Sequence, residues 1–135
     1  MTRQPSAARR AEELLGSAVM ATAPVAGGDV ATATKLRMSN GTTALMKTLS
    51  PAVPGLFPAE AAGLRWLGEV EDGVSVPQVL AAEDDCLVLE WVEPARGTVE
   101  DAAGFGRALA RTHAAGAPGF GGFDEGAGDT FIATL

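Results

Sequence analysis

Apolar and polar positions alternate with a period of two along three early stretches of the chain. From Ser17 to Val25 small apolar residues trade places with threonine. From Val30 to Met38, Val30, Thr32, Thr34, Leu36 and Met38 fall on one face, with Lys35 and Arg37 on the other. From Thr42 to Thr48, Thr43, Leu45 and Lys47 share one face and Ala44 and Met46 the other. Successive side chains of a strand point to opposite sides, so the pattern predicts three strands, and it places Lys47 beside Leu45. A glycine turn from Pro24 to Asp29 separates the first two. Asn40-Gly41 separates the second and third and predicts a type I′ hairpin, whose two central residues need positive φ.

The period then changes. Leu56 to Leu67 has helical spacing, with Phe57, Ala61 and Leu64 in one stripe and Glu60 at its border. The helix ends in Gly68 to Gly73. Val76 to Ala82 and Cys86 to Val92 predict an antiparallel pair around the acidic turn Glu83-Asp84-Asp85. The second of these strands stops at Glu93-Pro94, because proline has no amide proton for a ladder. Ahead of the sheet, Ser6 to Gly16 predicts a short peripheral helix, capped by Ser6 and closed by Gly16. Behind it, Thr98-Val99-Glu100-Asp101 predicts a capping box opening a helix to His113. The stripe of that helix, Ala102, Phe105, Leu109 and Thr112, needs an apolar partner, and the glycines from Gly116 to Gly128 predict a loop. The fold class expected is α+β: a five-stranded antiparallel sheet with an inserted helix over residues 1–92, then a connector, one helix and a glycine-rich tail over 93–135.

Composition narrows the function classes. The 135 residues, 47% of them hydrophobic, suffice for one ordinary folded unit with its own core. Ten Lys+Arg against 17 Asp+Glu give a net charge of -7, which repels phosphate backbones and argues against nucleic acid as a partner. No window reaches the ~18 consecutive apolar residues of a membrane span, and Glu12 and Glu13 interrupt any leader-like run after Arg9 and Arg10. The expected location is the cytoplasm, with no membrane partner. Cys86 is the single cysteine, so no intrachain disulfide forms, and its apolar setting reads as a small core residue rather than a reactive thiol. His113, near a helix end, reads as structural. The acidic turn reads as solvated and not as a metal site, because adjacent hairpin side chains diverge.

Several residues are chemically suggestive only together. Gly27-Gly28 alone is a turn, Lys47 alone a strand lysine and Glu60 alone a helix charge. In this order, a glycine turn, a strand lysine and a helix glutamate match the ATP-holding half of protein-kinase-like enzymes. The words are more specific: Gly27-Gly28-Asp29, Leu45-Met46-Lys47, Phe57 to Leu67 (FPAEAAGLRWL), Val76-Pro77-Gln78-Val79, Leu87-Val88-Leu89-Glu90-Trp91-Val92, and Phe105 to His113 (FGRALARTH). From about Gly16 onward the chain closely resembles the fructosamine (ketosamine) kinase family, relatives of the aminoglycoside phosphotransferases. The resemblance implies a protein-kinase-like N-terminal lobe, followed by a hinge and the first helix of the C-terminal lobe. It implies ATP as ligand and Mg2+ as cofactor, with Lys47 on the α- and β-phosphates, Glu60 holding Lys47, and Gly27, Gly28 and Asp29 in the loop over the phosphates. Glu90 and Val92 become the hinge positions whose backbone groups meet the adenine edge.

The same resemblance exposes a gap. The family draws its catalytic aspartate and magnesium ligands from a His-Gly-Asp segment and a later aspartate, whereas His113 is followed by Ala114-Ala115-Gly116. No catalytic residue and no metal ligand is therefore assigned within these 135 residues. The chain reads as a nucleotide lobe plus the start of the next, a truncated piece or a shortened product, expected to be inactive alone. A non-catalytic ATP-binding or protein-interaction module derived from the lobe is the alternative. A further expectation is self-association through Thr98 to His113, since that stripe lacks its covering helices.

Overall fold

A computed structural model describes residues 6–119. Eight elements follow in chain order: α1 (Ala7–Leu15), β1 (Val19–Val25), β2 (Thr32–Met38), β3 (Thr43–Thr48), α2 (Leu56–Gly68), β4 (Val79–Ala82), β5 (Cys86–Glu90) and α3 (Val99–Ala115). The strands form one sheet in the order β1-β2-β3-β5-β4, with every neighbouring pair antiparallel. The five-stranded antiparallel sheet with an inserted helix is as the alternation predicts. The segment beyond Gly119, including most of the glycine-rich tail, lies outside the described residues.

The pleat sorts the core into two layers. Leu36, Met38, Ala44, Met46, Cys86 and Val88 are buried on one face of the sheet, beneath Ala11 of α1. On the other face, Phe57 and Ala61 of α2 pack against Leu87 and Leu89. β5 is thus covered on both sides, and Cys86 through Leu89 are each buried, which explains its unbroken apolar run. Burial pushes the Cys86 thiol up to about 11, so the group is protonated and inert at neutral pH.

α1 is not peripheral. Ala11 is fully buried, and the helix lies across the sheet face with Leu14 and Leu15 at its margin. A salt bridge fixes it: Arg10 Nε and Nη2 donate to the two carboxylate oxygens of Asp85 at 3.0 and 3.1 Å. These bonds hold the Asp85 carboxyl below the ordinary range. Asp84 also has work, accepting the Gly55 amide at 2.9 Å just before α2, so the acidic turn is a pair of anchors rather than a merely solvated loop.

Other departures from the sequence reading have local causes. The β2–β3 connection is not type I′. Gly41 N donates to Met38 O at 3.1 Å and Met38 N to Thr42 O at 2.8 Å, while positive φ falls at Gly41 and not at Asn40. This is a three-residue loop with a type I turn closed by a left-handed glycine, and the Asn40 side chain accepts from Thr42 N at 2.9 Å. β2 starts at Thr32, leaving Val30 in the loop. β4 starts at Val79, after Pro77, and β5 ends at Glu90 instead of Val92.

α3 has the expected capping box: Asp101 N donates to Thr98 Oγ1 at 3.1 Å and Thr98 N to Asp101 Oδ2 at 2.9 Å. Thr98 Oγ1 also donates to Asp101 Oδ2 at 2.8 Å, and this bond together with that from Thr98 N keeps the Asp101 carboxyl below the usual range. The helix buries none of its residues. Its hold on the lobe is a latch at the α2–β4 loop, where Thr112 Oγ1 accepts from Val74 N at 2.9 Å. Gly73 is required there, since a Cβ on it would come within 2.8 Å of Thr112 Oγ1. Among the described residues, no helix is long and apolar enough to cross a membrane.

Candidate functional site

A cavity of about 680 Å³ opens on the α2 face of the sheet, beneath the β1–β2 loop, within the size range of small-molecule sites. Its walls are apolar, from Val25, Ala33, Leu45, Phe57 and Leu89, and its polar end holds Lys47 and Glu60. Lys47 Nζ lies 2.7 Å from Glu60 Oε1 and 2.8 Å from Oε2. Two local rules produce this pair. The period of β3 sends Met46 into the α1 layer and so turns Lys47 toward α2. On α2, the burial of Phe57 and Ala61 fixes the rotation of the helix and leaves Glu60 at the cavity edge.

The pair is half-buried, with 28% and 36% of the two side chains exposed, so the ammonium is held in place yet still reachable by a ligand. An ammonium has three N–H donors, and contact with one carboxylate leaves capacity for another anionic oxygen. Gly27 and Gly28 form the roof, with φ of 120° and 78°, a backbone path that residues with a side chain rarely follow. Gly27, Gly28, Lys47 and Glu60 are thus brought together around one space. Asp29, Glu90 and Val92 do not line it. Asp29 follows in the loop, and Glu90 and Val92 lie at the exit of β5, one and three residues beyond Leu89.

The exit is more tightly tied than the sequence indicates. Glu90 N donates to Gln78 O at 2.9 Å, and Gln78 N donates to Glu90 Oε1 at 2.9 Å, so the Glu90 side chain also has a structural task. Trp91 N donates to Thr43 O at 3.1 Å. Lys35, Trp91 and Glu93 form a surface cluster beside this connector, which the sequence reading overlooks. Its signal was available, because alternation already places Lys35 opposite the Leu36 and Met38 face. Among the described residues, no group of three or more His, Cys, Asp or Glu side chains converges as a metal site. A larger space of about 1140 Å³ lies between the C-terminal ends of α2 and α3, away from the Lys47–Glu60 pair.

A β1-β2-β3-β5-β4 antiparallel sheet, with a strand lysine clamped by the glutamate of the inserted helix under a glycine loop, defines the N-terminal lobe of a protein-kinase-like fold. Within that class, the chain belongs to the fructosamine kinase family, whose sequence model matches residues 3–133. A Thermus thermophilus protein provisionally assigned as a ketoamine kinase is 39% identical over 90 residues, covering 67% of this chain and 30% of that protein. A Thermobifida fusca crystal structure with a provisional fructosamine-3-kinase assignment superposes with a TM-score of 0.78 at 40% identity, over 86% of this chain and 41% of its own. A second such structure, from Haemophilus somnus, shares the fold with a TM-score of 0.63 at 18% identity, over 77% and 37% of the two chains. The chain therefore spans well under half the length of these relatives.

Proposed function

We propose that this chain is the ATP-holding part of a fructosamine (ketosamine) kinase, which transfers the γ-phosphate of ATP to a sugar hydroxyl of a ketosamine on a small amine or a glycated protein. The observation that carries the reading is the Lys47–Glu60 ion pair at the polar end of an apolar cavity roofed by Gly27-Gly28. In this reading Lys47 grips the α- and β-phosphates, and Glu60 aims it. Gly27, Gly28 and Asp29 close over the phosphates with their backbone, and the apolar walls take the base. The Glu90 carbonyl and Val92 amide meet the adenine edge from the connector. Calorimetric titration of ATP into wild type and Lys47→Ala is the direct test. We place the protein in the cytoplasm, where ATP is supplied and the buried Cys86 thiol stays reduced.

Phosphoryl transfer also needs a base for the acceptor hydroxyl and ligands for Mg2+. The 135 residues alone offer no His-Gly-Asp word for the first and no acidic cluster among the described residues for the second. The expected result is therefore ATP binding without turnover. Incubating the purified chain with Mg-ATP and a ketosamine should yield no phosphorylated sugar by mass spectrometry, and appearance of that product would sink this part of the reading.

Self-association belongs to the same reading. Val99 and Phe105 of α3 are 89% and 59% exposed, and a second copy of the chain is the occupant we expect on the Thr98 to His113 face. Light scattering at increasing concentration should report dimers for wild type and monomers for Val99→Glu/Phe105→Glu. A wild-type monomer at high concentration overturns it.

A further inference from the structure

Lys35 lies on β2 opposite Leu45, as Ala33 lies opposite Lys47, so Lys35 and Lys47 share the cavity face of the sheet. Its ammonium sits 4.2 Å from the centroid of the Trp91 ring and 4.0 Å from Glu93 Oε2. That same oxygen accepts a 2.7 Å bond from Trp91 Nε1. A cation, an aromatic ring and a carboxylate thus close into a ring of three mutual contacts that ties the β5 exit to β2. On the opposite side the exit is tied to Gln78 through both the backbone and the carboxylate of Glu90. Glu90, Trp91 and Glu93 are each fastened, while Val92 between them is 64% exposed.

Resting on the nucleotide reading above, we propose that Lys35 is a positioning residue for the adenine end of the site. The Lys35–Trp91–Glu93 clamp holds the connector in the conformation that presents the Glu90 carbonyl and Val92 amide to the base. A connector already ordered need not lose its freedom when the nucleotide arrives, and that saving appears as affinity. The cation holds the indole through the ring face, and the indole N–H fixes the carboxylate two residues on, so the chain between them has little room to turn. The plainer alternative is a surface ion pair. Glu93 is 78% exposed, and such a pair adds little to the stability of the fold. This separates the roles, because a clamp on the connector changes base recognition while leaving both stability and phosphate binding nearly untouched.

The test compares two ligands by calorimetry on the full 135-residue chain: ATP, which uses both ends of the site, and inorganic tripolyphosphate, which uses only the Lys47 end. Lys35→Met is expected to weaken ATP about fivefold and tripolyphosphate by less than about twofold. Lys35→Arg, which keeps a cation over the ring, is expected to restore ATP binding. Glu93→Gln, at an exposed position, gives a second variant with the same selective loss. Equal losses for both ligands would mean a general charge effect and overturn the proposal, as would unchanged ATP binding or an arginine variant no better than methionine. If wild type binds neither ligand, the nucleotide reading falls and takes the clamp's role with it. If wild type binds both and the variants match it, only the clamp falls.

Discussion

Lys47→Ala will weaken ATP binding by about 100-fold, Glu60→Gln by about tenfold, and the double variant will bind ATP better than Lys47→Ala alone. The order follows from what each change leaves behind. Removing Lys47 deletes charge-assisted bonds to phosphate worth about 1.5–3 kcal/mol each, and a loss near 3 kcal/mol is roughly 100-fold. It also strands the Glu60 carboxylate, which now lies 2.7 Å from the ammonium and would otherwise face the phosphates with like charge. Neutralising Glu60 as well removes that repulsion, which is why the double variant recovers. Glu60→Gln alone keeps the ammonium but loosens its aim, a smaller effect on binding than on geometry. Calorimetry on all four proteins closes the cycle. A double variant about tenfold weaker than Lys47→Ala, with the two single losses simply adding, would show that Glu60 does not act through Lys47. No measurable binding by wild type would favour the interaction-module alternative over a nucleotide lobe.

How much of this arrangement could be read from the chain depends on the range of the contacts involved. The strand alternation of Thr43 to Lys47 is a local signal, and by itself it places Lys47 on the Leu45 face, opposite Met46. The stripe Phe57, Ala61, Leu64 likewise set the rotation of α2 and left Glu60 at its border. What escaped notice lies between distant residues. Arg10 reaches Asp85 across 75 positions, and no local pattern marks either as a partner. α1 reads as peripheral because its buried residue is a single alanine, whose importance comes from letting the helix approach the sheet closely and not from its own apolar area. The hairpin type depended on Asn40, which tolerates positive φ without requiring it, and its side-chain bond to Thr42 favours the other turn. The stripe on α3 was legible as apolar, but whether anything covers it is a property of the assembly. Among the described residues, Thr112 and Arg111 tie the helix to the α2–β4 loop, by bonds to Val74 N and Asp72 O.

The second large effect concerns the floor of the same cavity. Phe57→Ala will lower the unfolding free energy by about 3 kcal/mol, from a total of roughly 5–15 kcal/mol expected for a domain of this size. Phe57 is 1% exposed and packs in one cluster with Ala61, Leu87 and Leu89. It sits in the first turn of a helix whose N-cap is Gly55, with no side-chain cap bond, so the start of α2 is held mainly by this ring and by the Asp84 bond to the Gly55 amide. The expected cost lies at the lower end for a buried phenylalanine because the ring also borders open space, and water can enter part of the volume it vacates. Loss of the anchor frees the first turn of α2, and Glu60 lies only three residues further on, so the Lys47–Glu60 pair loosens as well. Phe57→Leu keeps most of the volume and should cost about 1 kcal/mol, which preserves a folded protein for comparison. Urea unfolding should show the midpoint moving in that order with an unchanged slope. ATP affinity, measured where both variants remain folded, should fall for alanine and stay close to wild type for leucine. A Phe57→Ala protein that keeps wild-type stability would mean that α2 is fixed to the sheet by Ala61 and Leu64 without the ring, and the rotation that presents Glu60 would need another origin.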